Sequence, residues 1–363
     1  MTRFWQEPPH VHGRPSRTGV LLVNLGTPAA PTAAALRPYL AQFLSDPRVV
    51  EIPRLIWMPI LHGIILRTRP AKSAAKYASV WSDEGSPLQA HTRRQAQLLG
   101  QALAAAGHEV MVDWAMRYGQ PSIRTQLDAL RAAGCTRILV VPLYPQFAAS
   151  TTASVMDDVA DCLKHWRNLP ELRFIRSFGD DPGYIGALAA SVRRHWSTHG
   201  EAEKLVLSFH GTPRRSLDLG DPYHCECHKT ARLVAQALGL PAERVVVSFQ
   251  SRFGKAEWLQ PYTHPTLEAM ARQGVRSVDV ICPGFISDCL ETLEEIDMEC
   301  REAFLHAGGE RFGYIPCLNE DSAWIDALAQ LSIRHMGHWL AQTSDPAELA
   351  LQQQRARALG AQA

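Results

Sequence analysis

Two segments of this chain are near-repeats of one another, and that duplication limits what it can fold into. Val23-Asn24-Leu25-Gly26-Thr27-Pro28 closes one apolar run, and Ser208-Phe209-His210-Gly211-Thr212-Pro213 closes another, Leu205 to Phe209. The shared Gly-Thr-Pro reads as turn geometry that both halves need. His210 stands where the first half has Leu25, so that position reads as specialised. Downstream, Ala115-Met116-Arg117-Tyr118-Gly119 is matched by Gln250-Ser251-Arg252-Phe253-Gly254, with Pro121 and Pro265 opening helix-like runs to Gly134 and Gly274. Arg137 to Pro142 is matched by Arg276 to Pro283. Landmarks in the same order are hard to obtain by chance in a chain that is 46% hydrophobic. The offset falls from 185 at the glycines (Gly26 to Gly211) to 135 at the arginines (Arg117 to Arg252), so the first half carries about 50 extra residues.

A length of 363 residues suits two domains, each with its own core. With 37 basic and 36 acidic residues the net charge is +1, and no basic tract appears, so no nucleic-acid partner is expected. Met1 to Thr18 is polar and proline-rich, which predicts neither signal peptide nor membrane anchor and leaves the cytosol as the default compartment. Eight cysteines in that setting read as buried thiols or metal ligands rather than a disulfide framework.

Apolar, β-branched runs at Gly19 to Leu25, Glu109 to Ala115, Arg137 to Leu143, Leu205 to Phe209, Arg244 to Gln250 and Arg276 to Cys282 predict strands buried on both faces of parallel sheets. Helical patterns lie between most of them, for example Thr92 to Ala106, Ser122 to Ala133, Ala231 to Leu238 and Thr266 to Gln273. The expected architecture is α/β, with two Rossmann-like domains whose active residues follow strand ends. His210, Arg117, Tyr144 and Phe285 all do so. The predicted organisation is an N-terminal extension 1–18, a first domain 19–180 with an insertion at about 45–90, a second domain 181–343 and a tail 344–363. The Gln- and Ala-rich tail suggests no partner.

Within the insertion, Ile52 to Leu66 has only Arg54 and His62 as polar residues, and Arg67 and Arg69 follow. Pro53, Pro59 and Gly63 break it, and it is shorter than the ~20 residues a bilayer span needs. It reads either as a buried helix or as an apolar lip over a large hydrophobic ligand, touching a membrane as well, with the arginines pairing ligand carboxylates.

A second segment, Pro283 to Glu299, follows a strand and predicts a helix from about Ser287, capped by Ser287 or Asp288. Four-residue spacing would put Glu291, Glu295 and Glu299 on one face as a ladder of carboxylates. Like charges so placed cost a few tenths of a kcal/mol per pair unless something compensates. An imidazole with carboxylates suits either a divalent transition metal held with open positions or proton transfer near neutral pH. Separately, His224-Cys225-Glu226-Cys227-His228 gathers four soft ligands, which could hold zinc or one side of an iron–sulfur cluster, or could simply pack a helix start.

These residues resemble the ferrochelatase family, over nearly the whole chain. The resemblance is carried by Leu21 to Pro28, Gly85-Ser86-Pro87-Leu88, Tyr144-Pro145-Gln146-Phe147, Ser150-Thr151-Thr152, Ser208 to Pro213, Gly220-Asp221-Pro222-Tyr223, Gln250 to Gly254 and Gly284 to Asp288. It implies two similar domains with four-stranded parallel sheets, and insertion of ferrous iron into protoporphyrin IX with release of two protons, the last step of haem synthesis. The enzyme would be a lyase, with Fe(2+) and protoporphyrin IX as substrates. By the same resemblance His210 and Glu291 are the catalytic, metal-facing pair, with Asp288, Glu295 and Glu299 as a relay and a π-type widening in their helix. Leu25, Tyr77, Arg117, Tyr144, Ser150, Trp258 and Phe285 would line the porphyrin cleft, Arg67 or Arg69 would meet propionates, and 52–66 would be the mobile lip. Where many relatives have His before the Leu-Glu pair this chain has Cys289, which implies no proton shuttle there. Some relatives hold a [2Fe–2S] cluster, but Ala149 and the lack of cysteine after Cys317 predict none here. The readings beside this one are a chelatase for another tetrapyrrole, such as coproporphyrin or a cobalt precorrin, and a non-catalytic porphyrin or haem carrier.

Overall fold

The computed structural model describes residues 4–341 and 345–362, so Met1, Thr343 and Ser344, where expected boundaries fall, lie outside the described residues. Two four-stranded parallel sheets form the scaffold. The first contains β1 (Arg17–Gly26), β2 (Val110–Tyr118), β3 (Cys135–Pro142) and β4 (Glu171–Phe174), in the order β2-β1-β3-β4. The second contains β5 (Lys204–His210), β6 (Val245–Gln250), β7 (Ser277–Ile281) and β8 (Arg311–Tyr314), in the order β6-β5-β7-β8. Central β1 and β5 are apolar through most of their length because helices cover both faces of their sheets; Val20 to Val23 and Val206, Leu207 and Phe209 have no exposed surface.

The identical strand order places the same topological switch point in each half, between β1 and β3 and between β5 and β7, and ligands of open α/β sheets bind at such points. Leu25 and Tyr144 lie at the first switch, His210 and Phe285 at the second. Sequence pattern did not locate β4 and β8. Each has four residues with polar members, ELRF and RFGY, too short for a periodicity.

Backbone hydrogen bonds correct the repeat register. Met116 N–H donates to Pro121 O at 2.7 Å and Phe249 N–H to Pro261 O at 2.8 Å. Met116 therefore corresponds to Phe249, an offset of 133 rather than 135, and Arg117 to Gln250 rather than Arg252. The counterpart of Pro121 is Pro261, not Pro265, which lies inside the helix Thr263–Arg272. Beyond this point the offset is 140, since Ile175 N–H reaches Val140 O and Ile315 N–H reaches Val280 O. The same offset relates Asp181 and Asp321, each the N-cap of the following helix.

One continuous core joins the halves. It includes Val20 and Leu22 of β1, Leu205, Leu207 and Phe209 of β5, and Trp324 of the helix Ser322–Met336. Trp324 stacks on Phe178 at 5.6 Å and meets the edge of Tyr184 at 5.8 Å, pairs worth about 0.5–1.5 kcal/mol each beyond burial. Polar ties cross the same seam. Gln146 donates to Thr230 Oγ1 (2.9 Å) and to Pro283 O (3.2 Å), Tyr184 donates to Pro283 O (2.6 Å), and Gln95 donates to Ser287 Oγ (3.1 Å) and Asn319 O (2.7 Å). Asp221 and Glu226 accept from the amides of Ala149 and Phe147 at 2.8 and 2.7 Å. The Gly-Asp-Pro-Tyr motif thus fixes the loop after β3.

Candidate active site

Each half needs glycine at the end of its central strand because the neighbouring strand's backbone leaves no room for a side chain. A Cβ on Gly26, whose φ is +116°, would stand 1.7 Å from Tyr118 O, and one on Gly211 would stand 2.7 Å from Gln250 O. The tight turn aims residue 25 or 210 out of the sheet. In the second half His210 Nδ1 lies 2.6 Å from Gly211 O. A carbonyl only accepts, so Nδ1 carries the proton and the Nε2 lone pair is left for other chemistry. The ring is flanked by Phe285 at 6.2 Å and Trp258 at 6.5 Å between centroids.

The helix that brings the carboxylates begins later than expected, at Leu290, and Glu291–Cys300 is π-helical throughout. Neither Ser287 nor Asp288 caps it. Asp288 instead accepts from Tyr314 OH, Asn319 Nδ2 (2.7 Å), Cys317 N–H (3.2 Å) and Thr292 Oγ1 (3.2 Å), so it ties the segment to β8 and the loop beyond. The wide turn brings residues five apart, not four, into register. Glu294 and Glu299 consequently meet on one cation, Lys76 Nζ, at 2.8 and 2.9 Å. Glu295 turns elsewhere and accepts from Ser251 N–H (2.6 Å) and Oγ (2.5 Å). The single-faced ladder of Glu291, Glu295 and Glu299 is thereby divided. Burial foremost raises the Glu295 carboxyl above the usual range; Glu291 adds to this, while Ser251 and His210 oppose it. His210, Glu291 and Glu295 therefore share one electrostatic neighbourhood. The start of the π-helix is held by Gln250, which donates to Glu291 O (2.8 Å) while accepting from Ser208 Oγ (2.7 Å).

The facing wall comes from the first half. Leu25 and Tyr77 pack in the same apolar cluster as Tyr39, whose hydroxyl donates to Gly26 O at 3.2 Å. The Tyr39 and Tyr77 hydroxyls are both raised, first by burial and then in part by the negative charge of Glu291. The charge of Glu291 is thus felt by hydroxyls of the first half as well as by Glu295 of the second. Beside Glu291 burial pushes the Cys289 thiol up, and the Glu291 charge adds to this, so that position is a neutral thiol. The Tyr144 hydroxyl is buried without a hydrogen-bond partner among the described residues, and Ser150 lies in a short π-turn, Ala149–Ala153. Arg117 is committed: Nε donates to Ser154 O (2.9 Å) and Oγ (2.7 Å), Nη2 pairs with Asp46 (2.7 Å) and Nη1 faces Asp158 at 3.5 Å.

The insertion forms the helix Arg54–Ile60, a π-turn Leu61–Ile65 and the helix Leu66–Val80. It is not a buried core helix. Leu55 is 93% exposed, and Ile52, Ile56, Ile60 and Ile64 are exposed as well. Arg67 is exposed, whereas Arg69 is half-buried with its guanidinium 3.9 Å above the Phe253 ring, a contact from lip to second half.

Sequence reasoning missed Tyr39, Lys76, Gln250 and Ser251. Only Gln250 and Ser251 had a signal, since they belong to a repeated segment. The five-residue cluster from His224 to His228 does not converge as a whole: on the helix Tyr223–Leu238 the His224 and His228 rings meet at 4.4 Å, while Cys225 is exposed, Cys227 is buried and Glu226 binds Arg176. Among the described residues no group of three or more His, Cys, Asp or Glu side chains is arranged to hold a metal, and no helix is long and apolar enough to cross a membrane.

A family model described as Ferrochelatase matches residues 17–336. The chain is 69% identical to the ferrochelatase of Azoarcus sp. over 99% of both chains, and 67% identical to that of Aromatoleum aromaticum over 100% of both. Among solved structures it is similar to SirB from Bacillus subtilis with Fe3+, at a TM-score of 0.53 and 14% identity, over 90% of this chain and 98% of that one, which speaks for the fold alone. With the family model and these relatives spanning both halves, the chain belongs to the ferrochelatase family.

Proposed function

We propose that this chain inserts Fe(2+) into protoporphyrin IX, forming protohaem. The observation that carries the reading is His210, its Nδ1 held by Gly211 O and its ring flanked by two aromatic rings, at the strand position paired with Gln250, whose side chain holds the Glu291 backbone. Insertion requires two pyrrole N–H bonds to break, their electron pairs becoming Fe–N bonds and their protons leaving. His210 Nε2 can accept one proton or ligate the incoming ion, and the Glu291 carboxylate can do the other task. Neither group needs to hold iron tightly, since iron leaves as part of the product. A slot that grips a buckled macrocycle favours metallation over the flat ground state.

Leu25, Tyr77, Trp258 and Phe285 serve in this reading as its apolar walls, Tyr144 and Ser150 offer hydroxyls, and Arg69 or Arg67 meets the propionates. Arg117, already committed to Asp46, supports the wall from behind. Glu295, with Glu294 and Glu299 at Lys76, extends the site along the π-helix. Asp288 anchors that helix. The proposal includes no resident cofactor: Ala149 and the cysteine-free stretch after Cys317 lack the residues by which some relatives bind a [2Fe–2S] cluster.

We also place the protein in the cytosol with its lip against a membrane. Between Ile52 and Val80 there are five Lys or Arg and no Asp or Glu, around an exposed apolar face. That combination suits an anionic lipid surface. Flotation with anionic vesicles should carry the parent protein and leave Leu55→Asp behind; equal flotation of both would remove the lip from membrane contact. For the reaction, anaerobic mixing with Fe(2+) and either protoporphyrin IX or coproporphyrin should metallate protoporphyrin. Metallation of coproporphyrin alone favours a different tetrapyrrole chelatase, and binding without metallation favours a carrier.

A further inference from the structure

The helix Tyr223–Leu238 carries two histidines four residues apart, His224 and His228, which the proposed reaction does not use. Residues so spaced are neighbours on one helix face. Their ring centroids are 4.4 Å apart with 51° between planes. For two imidazoles on one ion, metal–nitrogen bonds of about 2.0–2.1 Å put the centroids roughly 4.5–5.2 Å apart for angles between square and tetrahedral. The observed centroid separation lies close to that range, so the two rings are within reach of one shared ion.

The surroundings favour that use. Phe249, fully buried on β6, forms a floor beneath both rings, parallel to His224 at 5.7 Å and 6.1 Å from His228. The floor limits rotamers and lowers the entropy lost on closing a chelate. His228 is exposed and His224 half-buried, so an ion from solvent can reach the pair. The nearby cation Arg214 is paired with Asp218 at 3.0 Å. The rest of the former cluster is engaged or turned away: Glu226 binds Arg176 and the Phe147 amide, and Cys227 is buried against Tyr223.

We propose that His224 and His228 form a two-imidazole chelate for a borderline divalent transition metal such as Zn(2+), separate from the iron-inserting site, with water completing the coordination sphere. Among the described residues no third protein ligand joins the pair, so the site is exchangeable rather than structural.

The test is a titration of the metal-free full-length protein with Zn(2+) against a chromophoric chelator, with His224→Ala, His228→Gln and His210→Ala variants compared by circular dichroism for folding. The parent should take up one equivalent that raises its thermal midpoint. Each variant at 224 or 228 should lose on the order of 100-fold in affinity for that equivalent, the loss expected when a chelate becomes a single contact. His210→Ala should keep it. Unchanged affinity in folded His224→Ala and His228→Gln, or loss of the equivalent in His210→Ala alone, would overturn the assignment.

Discussion

Replacing Asp46 should destabilise the protein far more than loss of an ordinary surface carboxylate. Its side chain is only 4% exposed and Arg117, its partner, 14%. Four donors converge on it: Arg117 Nη2 (2.7 Å), Tyr118 OH (2.8 Å) and Ser154 Oγ (2.6 Å) on Oδ2, and Arg48 N–H (2.7 Å) on Oδ1. Removing one member of a buried ion pair costs about 3–5 kcal/mol, because the remaining charge is left desolvated. Asp158, 3.5 Å from Arg117, and the bond from Tyr118 to Ser154 at 3.0 Å relieve part of that, so Asp46→Leu should cost about 3 kcal/mol. With an unfolding entropy of about 2.1 cal/mol/K per residue, a chain of 363 residues shifts by roughly 1.3 °C per kcal/mol, so the thermal midpoint falls by about 4 °C. The double variant Asp46→Leu/Arg117→Met should recover about half of the loss, since the orphaned charge goes too. Burial raises the Asp46 carboxyl, but Ser154, the Arg48 amide, Tyr118 and Arg117 together bring it below the usual range. Its stabilising contribution is therefore present above the unfolded carboxylate range of about 3.9 and disappears as pH falls through the lower folded value. Denaturant titrations of the four proteins at neutral and acid pH measure each quantity. A cost under about 1 kcal/mol, or a double variant as unstable as the two single losses added, would refute the reasoning.

Three other outcomes follow from the geometry. Glu295 has a raised folded pKa, so its contribution is full below the unfolded glutamate range and is lost as pH rises through the folded value; Glu295→Gln should gain stability over the parent as pH climbs, and parallel stability curves would count against this. Lys76→Met breaks two ion pairs whose cation is 47% exposed, and should lose about 1 kcal/mol at low ionic strength and little at 1 M salt; a salt-independent loss would mean that packing, not charge, is responsible. Gly26→Ala puts a Cβ into the Tyr118 carbonyl at a positive φ, and should prevent folding to a stable protein, whereas a folded, soluble variant would show that the turn can move.

Much of this was legible in the residues because parallel strands buried on two faces must be written as short apolar runs, and β1, β3 and β5 are such runs. Turn glycines were legible for a steric reason that repeats in both halves. The arginine match between Arg117 and Arg252 misled the register, because identity of one side chain does not report which amide meets which carbonyl. The carboxylate row was read with a period of four, and a π-helix changes the period; the spacing within 291–300 does not announce the widening, which only the family resemblance implied. Tyr39 and Lys76 enter the site only through tertiary packing of helices, which no local spacing encodes.

The central claim is that the His210 imidazole takes part in metallation rather than in holding porphyrin. The direct measurement is anaerobic absorbance of protoporphyrin IX with Fe(2+) for the parent and His210→Ala, with porphyrin binding followed separately by fluorescence quenching. The account predicts near-parental porphyrin affinity with metallation abolished in the variant; metallation at close to the parental rate in His210→Ala would contradict it.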